Sequence, residues 1–267
     1  MRYLLTACLA VVLAACSEVK SYRSLPLEEF EELFAQNTMT GSVAGNFAES
    51  LPRYRELFEE NLNSSSVEGL HVDFVLMAHE QPDVDFSAEV AQSQAQVAWL
   101  LEQLNPEVTA AESAFSEGLT TTQFAADYYT MERDVTGVEP IKGDEDISSA
   151  DGVISYLEKY PTATVIGGED RQLIVFSMGA GIIGTRLKDE VMLILFERSN
   201  TLRSDVAAAK LIEALRKGGK KRGAVVFGGW HEYDFRQIAE EIQLDSTFYC
   251  AASEKSLSVL TLDDLRC

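Results

Sequence analysis

The stretch His71-Val72-Asp73-Phe74-Val75-Leu76-Met77, closed by Ala78-His79-Glu80-Gln81-Pro82, decides the fold class. A run of mostly apolar residues ended by polar residues and a proline reads as a buried strand. Ser87 can then cap a helix running to about Leu104, with Val90, Val97, Ala98, Leu101 and Leu104 on its apolar side and Gln94 interrupting the stripe. After Asn105-Pro106, Val108-Thr109-Ala110-Ala111 reads as a second short strand ending at Glu112. Strand, helix and strand within about 40 residues is a βαβ unit, which implies parallel pairing with a right-handed crossover.

Downstream, the sheet resumes with Gly223-Ala224-Val225-Val226-Phe227 and breaks at Gly228-Gly229-Trp230-His231. A helix over residues 234–242 follows, then strands at 246–250 and 256–262. The middle of the chain, roughly 113–222, reads as a helical insertion, with helices at 120–133, 150–160 and 204–217. Residues 163–166 and 173–176 are short β-like runs around Gly167-Gly168-Glu169-Asp170. Residues 191–196 are wholly apolar, and periodicity leaves strand and buried helix both open. Helical patterns also cover residues 27–34 and 51–62, with Pro52 in the first turn of the latter. This order predicts an α/β fold: a three-layer, mostly parallel sheet with a helical insertion or cap.

The N-terminus has a different character. Arg2 precedes an almost unbroken apolar run over residues 4–15, too short for the ~20 residues of a membrane-spanning helix but suited to a signal peptide. Leu13-Ala14-Ala15-Cys16 resembles the lipobox of bacterial lipoproteins. The resemblance implies a leader over residues 1–15, diacylglycerol and palmitate-type acylation on Cys16, a tether over 16–26 and a domain over 27–267. An ordinary secretory peptide with a chance cysteine is the alternative. Ser17 is not the Asp that resembles an inner-membrane retention signal, so the expected location is the outer membrane, facing the periplasm. Membrane attachment is expected through the Cys16 lipid.

With 43 acidic and 22 basic residues the chain carries a formal charge of −21. That argues against nucleic acid as a partner and against docking on anionic headgroups by a basic patch. Of the four cysteines, Cys8 leaves with the leader and Cys16 is lipidated. Cys250 and Cys267 remain as a pair in an oxidising setting, which points to a disulfide; two free thiols or metal ligands are the rival reading.

Ligands of open parallel sheets bind beyond the carboxyl ends of the strands. Three predicted strands end there in polar residues: His79-Glu80, Glu112, and Gly228 to His231. The chain has only three histidines, and two of them take this position. An imidazole serves there as a metal ligand or an acid/base near neutral pH, and a carboxylate completes a metal site or orients the ring. Taken singly, each residue is as well explained as a loop or capping group. His71 opens a strand and reads as a boundary residue.

At these positions the chain resembles the superfamily that groups erythromycin-esterase-like, haem-uptake (ChaN-like) and Tiki/TraB proteins. The likeness rests on Val75-Leu76-Met77-Ala78-His79-Glu80-Gln81, the following helix, and the strand ending in Glu112. It continues in Phe196-Glu197-Arg198-Ser199-Asn200 and the late Gly228-Gly229-Trp230-His231, and spans about residues 70–245. At the first motif Leu76 stands where members carry Gly, and the Glu follows the His instead of preceding it. The resemblance implies an envelope hydrolase, metal-assisted in the Tiki-like branch, acting on a small-molecule or peptide ligand. His79, His231 and Glu112 would be the divalent-metal ligands. With Glu80, these three would also form the catalytic set. Arg198 and Gly228 would contact substrate. The alternative it implies is a non-catalytic lipoprotein that binds haem.

Overall fold

Runs of apolar residues without a polar face are stable as strands only where both faces of a sheet are covered. Four of the five strands among the described residues are buried almost throughout, and the fifth, residues 245–251, is an edge strand with two buried positions. The computed structural model describes Leu27, Phe30 and residues 42–78, 87–136 and 151–267. Two units divide the chain, residues 1–39 and 40–267. Of the first, Leu27 and Phe30 are described, both helical; the fold below is that of the second. The predicted leader, the lipidation site Cys16 and its tether lie outside the described residues.

Helix α1 (Ser42–Asn61) leads to β1 (His71–Met77), α2 (Ser87–Leu104) and β2 (Val108–Ala111). Next come α3 (Thr121–Thr136), α4 (Asp151–Lys159) and β3 (Val165–Gly167). A helical hairpin follows, α5 (Arg171–Leu187) and α6 (Glu190–Gly218). The chain then forms β4 (Arg222–Gly228), a 3-10 turn (Gly229–His231), α7 (Glu232–Ile242) and β5 (Asp245–Ala251). The sheet is wholly parallel in the order β3-β2-β4-β1-β5. The fold is therefore α/β, with helices on both faces.

One face of the sheet, carrying Val75, Met77, Ala111, Val226 and Tyr249, packs on Val97, Leu100 and Leu101 of α2 and on Val153 and Leu157 of α4. The other, carrying Val72, Phe74, Leu76, Ala110, Val225 and Phe227, packs on Ala208, Leu211 and Leu215 of α6 and on Phe235 and Ile238 of α7. The crossovers from β1 to β2 and on to β3 run outward over the first face. The returns to β4 and β5 run back over the second, as a single crossover hand requires.

Several expectations are corrected. β1 and β2 belong to one parallel sheet but are not neighbours, because β4 lies between them. Residues 173–176, read as β-like, are the first turns of α5. Asp170 caps that helix by accepting hydrogen bonds from the Gln172 and Leu173 amides, which sets the backbone helical before the apolar run begins. Residues 191–196 are likewise helical, since Asp189 caps Val191 and Met192. Pro52 stands inside α1, which begins at Ser42. Residues 256–262 form no strand. Leu260 and Leu265 are buried there, Thr261 and Asp264 form a capping box, and Arg266 bridges antiparallel to Tyr249.

This C-terminal strap is closed covalently by a Cys250–Cys267 disulfide with the Cα atoms 5.5 Å apart. Closing a loop of that size restricts the unfolded chain by roughly 3 kcal/mol. Cys267→Ser is expected to lower the unfolding free energy by about that amount. The readout is a lower urea midpoint than wild type, and equal midpoints would show that the bridge adds nothing.

Candidate functional site

The pairing register brings the carboxyl ends of four strands level: Met77 opposite Gly228, and Ala111 opposite Val226 and Gly167. Each chain exit then turns sharply. After β2, Ser113 takes a left-handed conformation at φ 64°, so Glu112 keeps its amide on the Val226 carbonyl, at 3.0 Å, while its side chain leaves the ladder. After β3, Gly168 lies against the Phe227 ring and the Ala111 carbonyl, so a Cβ there would clash with the ring, and Glu169 follows it. After β4, the 3-10 turn delivers His231 as the residue that opens α7.

These groups converge on Arg203. Its Nη2 donates to Glu112 Oε1 at 2.9 Å and to Glu169 Oε1 at 2.5 Å. Its Nε donates to both Glu169 oxygens, and Nη1 donates to Asn200 Oδ1 at 3.0 Å. The guanidinium is therefore shared between two carboxylates, with Glu169 fully buried and the Arg203 side chain 11% exposed. The other oxygen of Glu112 accepts the Gly228 amide at 2.6 Å.

Burial pushes the Glu169 carboxyl above its usual range, with Glu112 adding repulsion and Arg203 opposing both. Burial alone works against the charge of Arg203, but Glu169 and Glu112 reverse this and hold its pKa above the usual value. Lys210, whose Nζ donates to the Glu169 carbonyl at 2.6 Å, is pushed down by burial.

His231 is 5% exposed. Its Nδ1 lies 2.7 Å from Ser204 Oγ, and that hydroxyl lies 3.2 Å from Asp234 Oδ2. Where that hydroxyl donates to Asp234 it accepts from the ring, and in that arrangement Nδ1 carries the proton and Nε2 is the basic nitrogen. Nε2 faces Glu112 Oε1 at 3.8 Å. The Phe227 ring stands edge-on to the imidazole, 5.1 Å between centroids.

Glu112 and His231, both singled out from sequence, are thus brought together, and the Gly228 amide joins them. His79 and Glu80 lie outside the described residues. Arg198 lies on α6, five residues before Arg203 and so about 140° around the helix. The guanidinium that holds Glu112 belongs to Arg203. The reading of residues 191–196 as a possible strand hid this, because only the helical period puts Asn200, Arg203, Ser204 and Ala207 on one face. Glu169, Arg203, Ser204 and Asp234 were missed. Glu169 had the same signal as Glu112, an acid just past a β-like run; the other three had none.

An open cleft of about 450 Å3 meets this network at Glu169. Arg53 and Tyr54 of α1, Phe115, Asp170 and Lys210 also line it. Asp170 accepts from the Tyr54 hydroxyl at 2.6 Å and is paired with Arg53, which ties α1 to the rim.

Neither implied cofactor fits the described residues. A divalent ion bound to Glu112 and His231 would stand beside the Arg203 guanidinium, already 2.9 Å from the carboxylate oxygen nearest the ring. Among the described residues the three potential ligands that come together are Glu232, Cys250 and Cys267, and both sulfurs are spent in the disulfide. Haem needs an apolar slot, whereas the cleft is lined largely by charged side chains. The chain matches no protein-family model, no curated protein and no solved structure.

Removing one member of a buried ion pair strands its partners without compensation. Arg203→Met is expected to cost about 3–5 kcal/mol in urea unfolding; a loss under about 1 kcal/mol would mean the carboxylates do not depend on it. Glu169 has a raised pKa when folded, so its stabilising contribution is largest at low pH and declines as pH rises above about 4.5. The unfolding free energy of wild type minus that of Glu169→Gln is therefore expected to fall from about pH 4.5 towards neutrality. A difference that rises with pH would reverse the assignment.

Proposed function

We propose that the protein is a lipid-anchored hydrolase of the bacterial cell envelope that cleaves a small polar ester, lactone or peptide with His231 as its proton-transfer group. The observation that carries this reading is the chain of contacts from His231 Nδ1 through the Ser204 hydroxyl to Asp234. Ser204 and Asp234 hold Nδ1, so a positive charge arising on the ring meets an anionic partner through the hydroxyl. Nε2 is the nitrogen that takes a proton from water and returns it to the leaving group. Glu112 orients that face of the ring, and Arg203 with the Gly228 amide holds Glu112 in place. Arg203 and Glu112 are positioning residues in this scheme.

This reading takes the cleft at Glu169 as the approach for substrate; His231 and Glu112 are not among the residues that line it. Arg53, Arg171 and Lys210 stand there among six acids, Glu56, Glu60, Glu117, Glu169, Asp170 and Glu213, a lining suited to a substrate that carries a cationic group. Location in the envelope is carried by the lipobox resemblance at Cys16, and the Cys250–Cys267 bridge is compatible with an oxidising compartment.

The test is hydrolysis of a panel of chromogenic esters, lactones and short peptides by the mature chain. His231→Gln, which keeps polar bulk in a buried position, is expected to reduce kcat/KM by about 100-fold or more. The acidic limb of the pH profile should disappear with it. A wild-type chain inert on all three classes, or a variant as active as wild type, would end the hydrolase reading. Labelled palmitate incorporated by wild type and lost in Cys16→Ser tests the anchor separately.

A further inference from the structure

Where α5 and α6 pack, Phe196 and Leu193 of α6 seat on glycines of α5: a Cβ on Gly181 would stand 2.9 Å from the Phe196 ring, and one on Gly184 would stand 2.9 Å from Leu193 Cδ2 and 3.0 Å from the Leu193 amide nitrogen. Large side chains of the hairpin are also exposed. Met178, Ile182 and Ile183 are exposed on α5, as is Leu187 at 72%, and Leu193 and Ile194 are exposed on α6.

At about 100° per residue, the four α5 side chains fan over roughly half of the helix circumference, centred opposite Gly181 and Gly184. A helix lying in a bilayer interface turns its apolar residues to the lipid and reaches back with long cationic side chains, and Arg186 falls within this fan. Charge points the same way. In a chain of net charge −21, residues 178–194 contain Arg186, Lys188, Asp189 and Glu190 and are neutral. Arg186 and Lys188 flank Leu187, and their long stems let the charges reach headgroups while the leucine goes deeper.

We propose that the turn between α5 and α6, with its flanking apolar residues, inserts into the headgroup–acyl boundary of a lipid bilayer as a membrane contact additional to the Cys16 lipid. No described helix is long and apolar enough to cross a membrane, which fits shallow interfacial insertion. The inference rests on the lipoprotein reading only for the nearness of the bilayer. A tethered domain meets that surface at high effective concentration, so a weak contact suffices.

The mature chain with Cys16→Ser, which bears no lipid, is mixed with sucrose-loaded phosphatidylethanolamine/phosphatidylcholine vesicles and sedimented. Wild-type hairpin sequence is expected to partition onto the vesicles, and Leu187→Glu or Ile183→Glu to lower the partition coefficient roughly tenfold or more. Both positions are exposed, so the circular dichroism should not change. No vesicle binding by the wild-type hairpin, or equal binding by the Glu variants, overturns the proposal. A wild-type dimer that Leu187→Glu dissociates, without vesicle binding, overturns it in favour of a second copy of this chain. Since the chain in this assay carries no covalent lipid, a failure of Cys16 to take up palmitate in cells removes the anchor reading and leaves the hairpin result intact.

Discussion

The guanidinium of Arg203 between Glu112 and Glu169 is the constraint on which the carboxyl end of the sheet depends. It joins α6 to the exits of β2 and β3, across sequence separations of 91 and 34 residues. Through Glu112 it reaches β4 as well, because the Gly228 amide is bound to the second oxygen of the same carboxylate. A buried pair of this kind costs desolvation on both sides and is weak evidence for stability by itself. Its effect is geometric: three strand exits and a helix are held in one arrangement, and His231 is presented to a carboxylate that cannot turn away.

The electrostatic balance follows from the same contact. One guanidinium serves two acids, so the carboxyl of Glu169 is driven upward by burial and by its neighbour, while Lys210 beside it is driven down by burial. A third acid, Asp234, acts on His231 from the opposite side through Ser204. The imidazole therefore has carboxylates towards both nitrogens, one through a hydroxyl and one at 3.8 Å. That arrangement suits a ring that gains and loses a proton. It suits a divalent ion poorly, because the nearest carboxylate oxygen is already held by a cation.

Much of the fold was legible in the residues. His71–Met77 and Val108–Ala111 are strands as their apolar runs indicate, and the helix between them spans Ser87–Leu104 as its stripe requires. Glu112 and His231 could be singled out because strand ends are where ligands meet a parallel sheet. The ambiguities between strand and helix share a cause. Runs of four to six apolar residues, such as 173–176 and 191–196, contain no period that separates strand from helix, and the decision passed to the caps at Asp170 and Asp189. Once residues 190–218 are a single helix of 29 residues, Arg203 meets the strand ends and Arg198 lies about 140° around the helix from it.

The sequence by itself determined the class of the fold, the pairing of Cys250 with Cys267 as one of two readings, and two members of the strand-end cluster. These depend on local pattern: hydrophobic period, turn residues and composition. Tertiary structure decided that β4 separates β1 from β2, which arginine holds Glu112, and that Ser204 links His231 to Asp234. It also decided that Phe196 and Leu193 seat on Gly181 and Gly184 where α5 and α6 pack, while Met178, Ile182, Ile183 and Leu187 stay exposed. Each of these joins residues far apart in the chain, and such contacts depend on strand order and helix rotation, which no local pattern records.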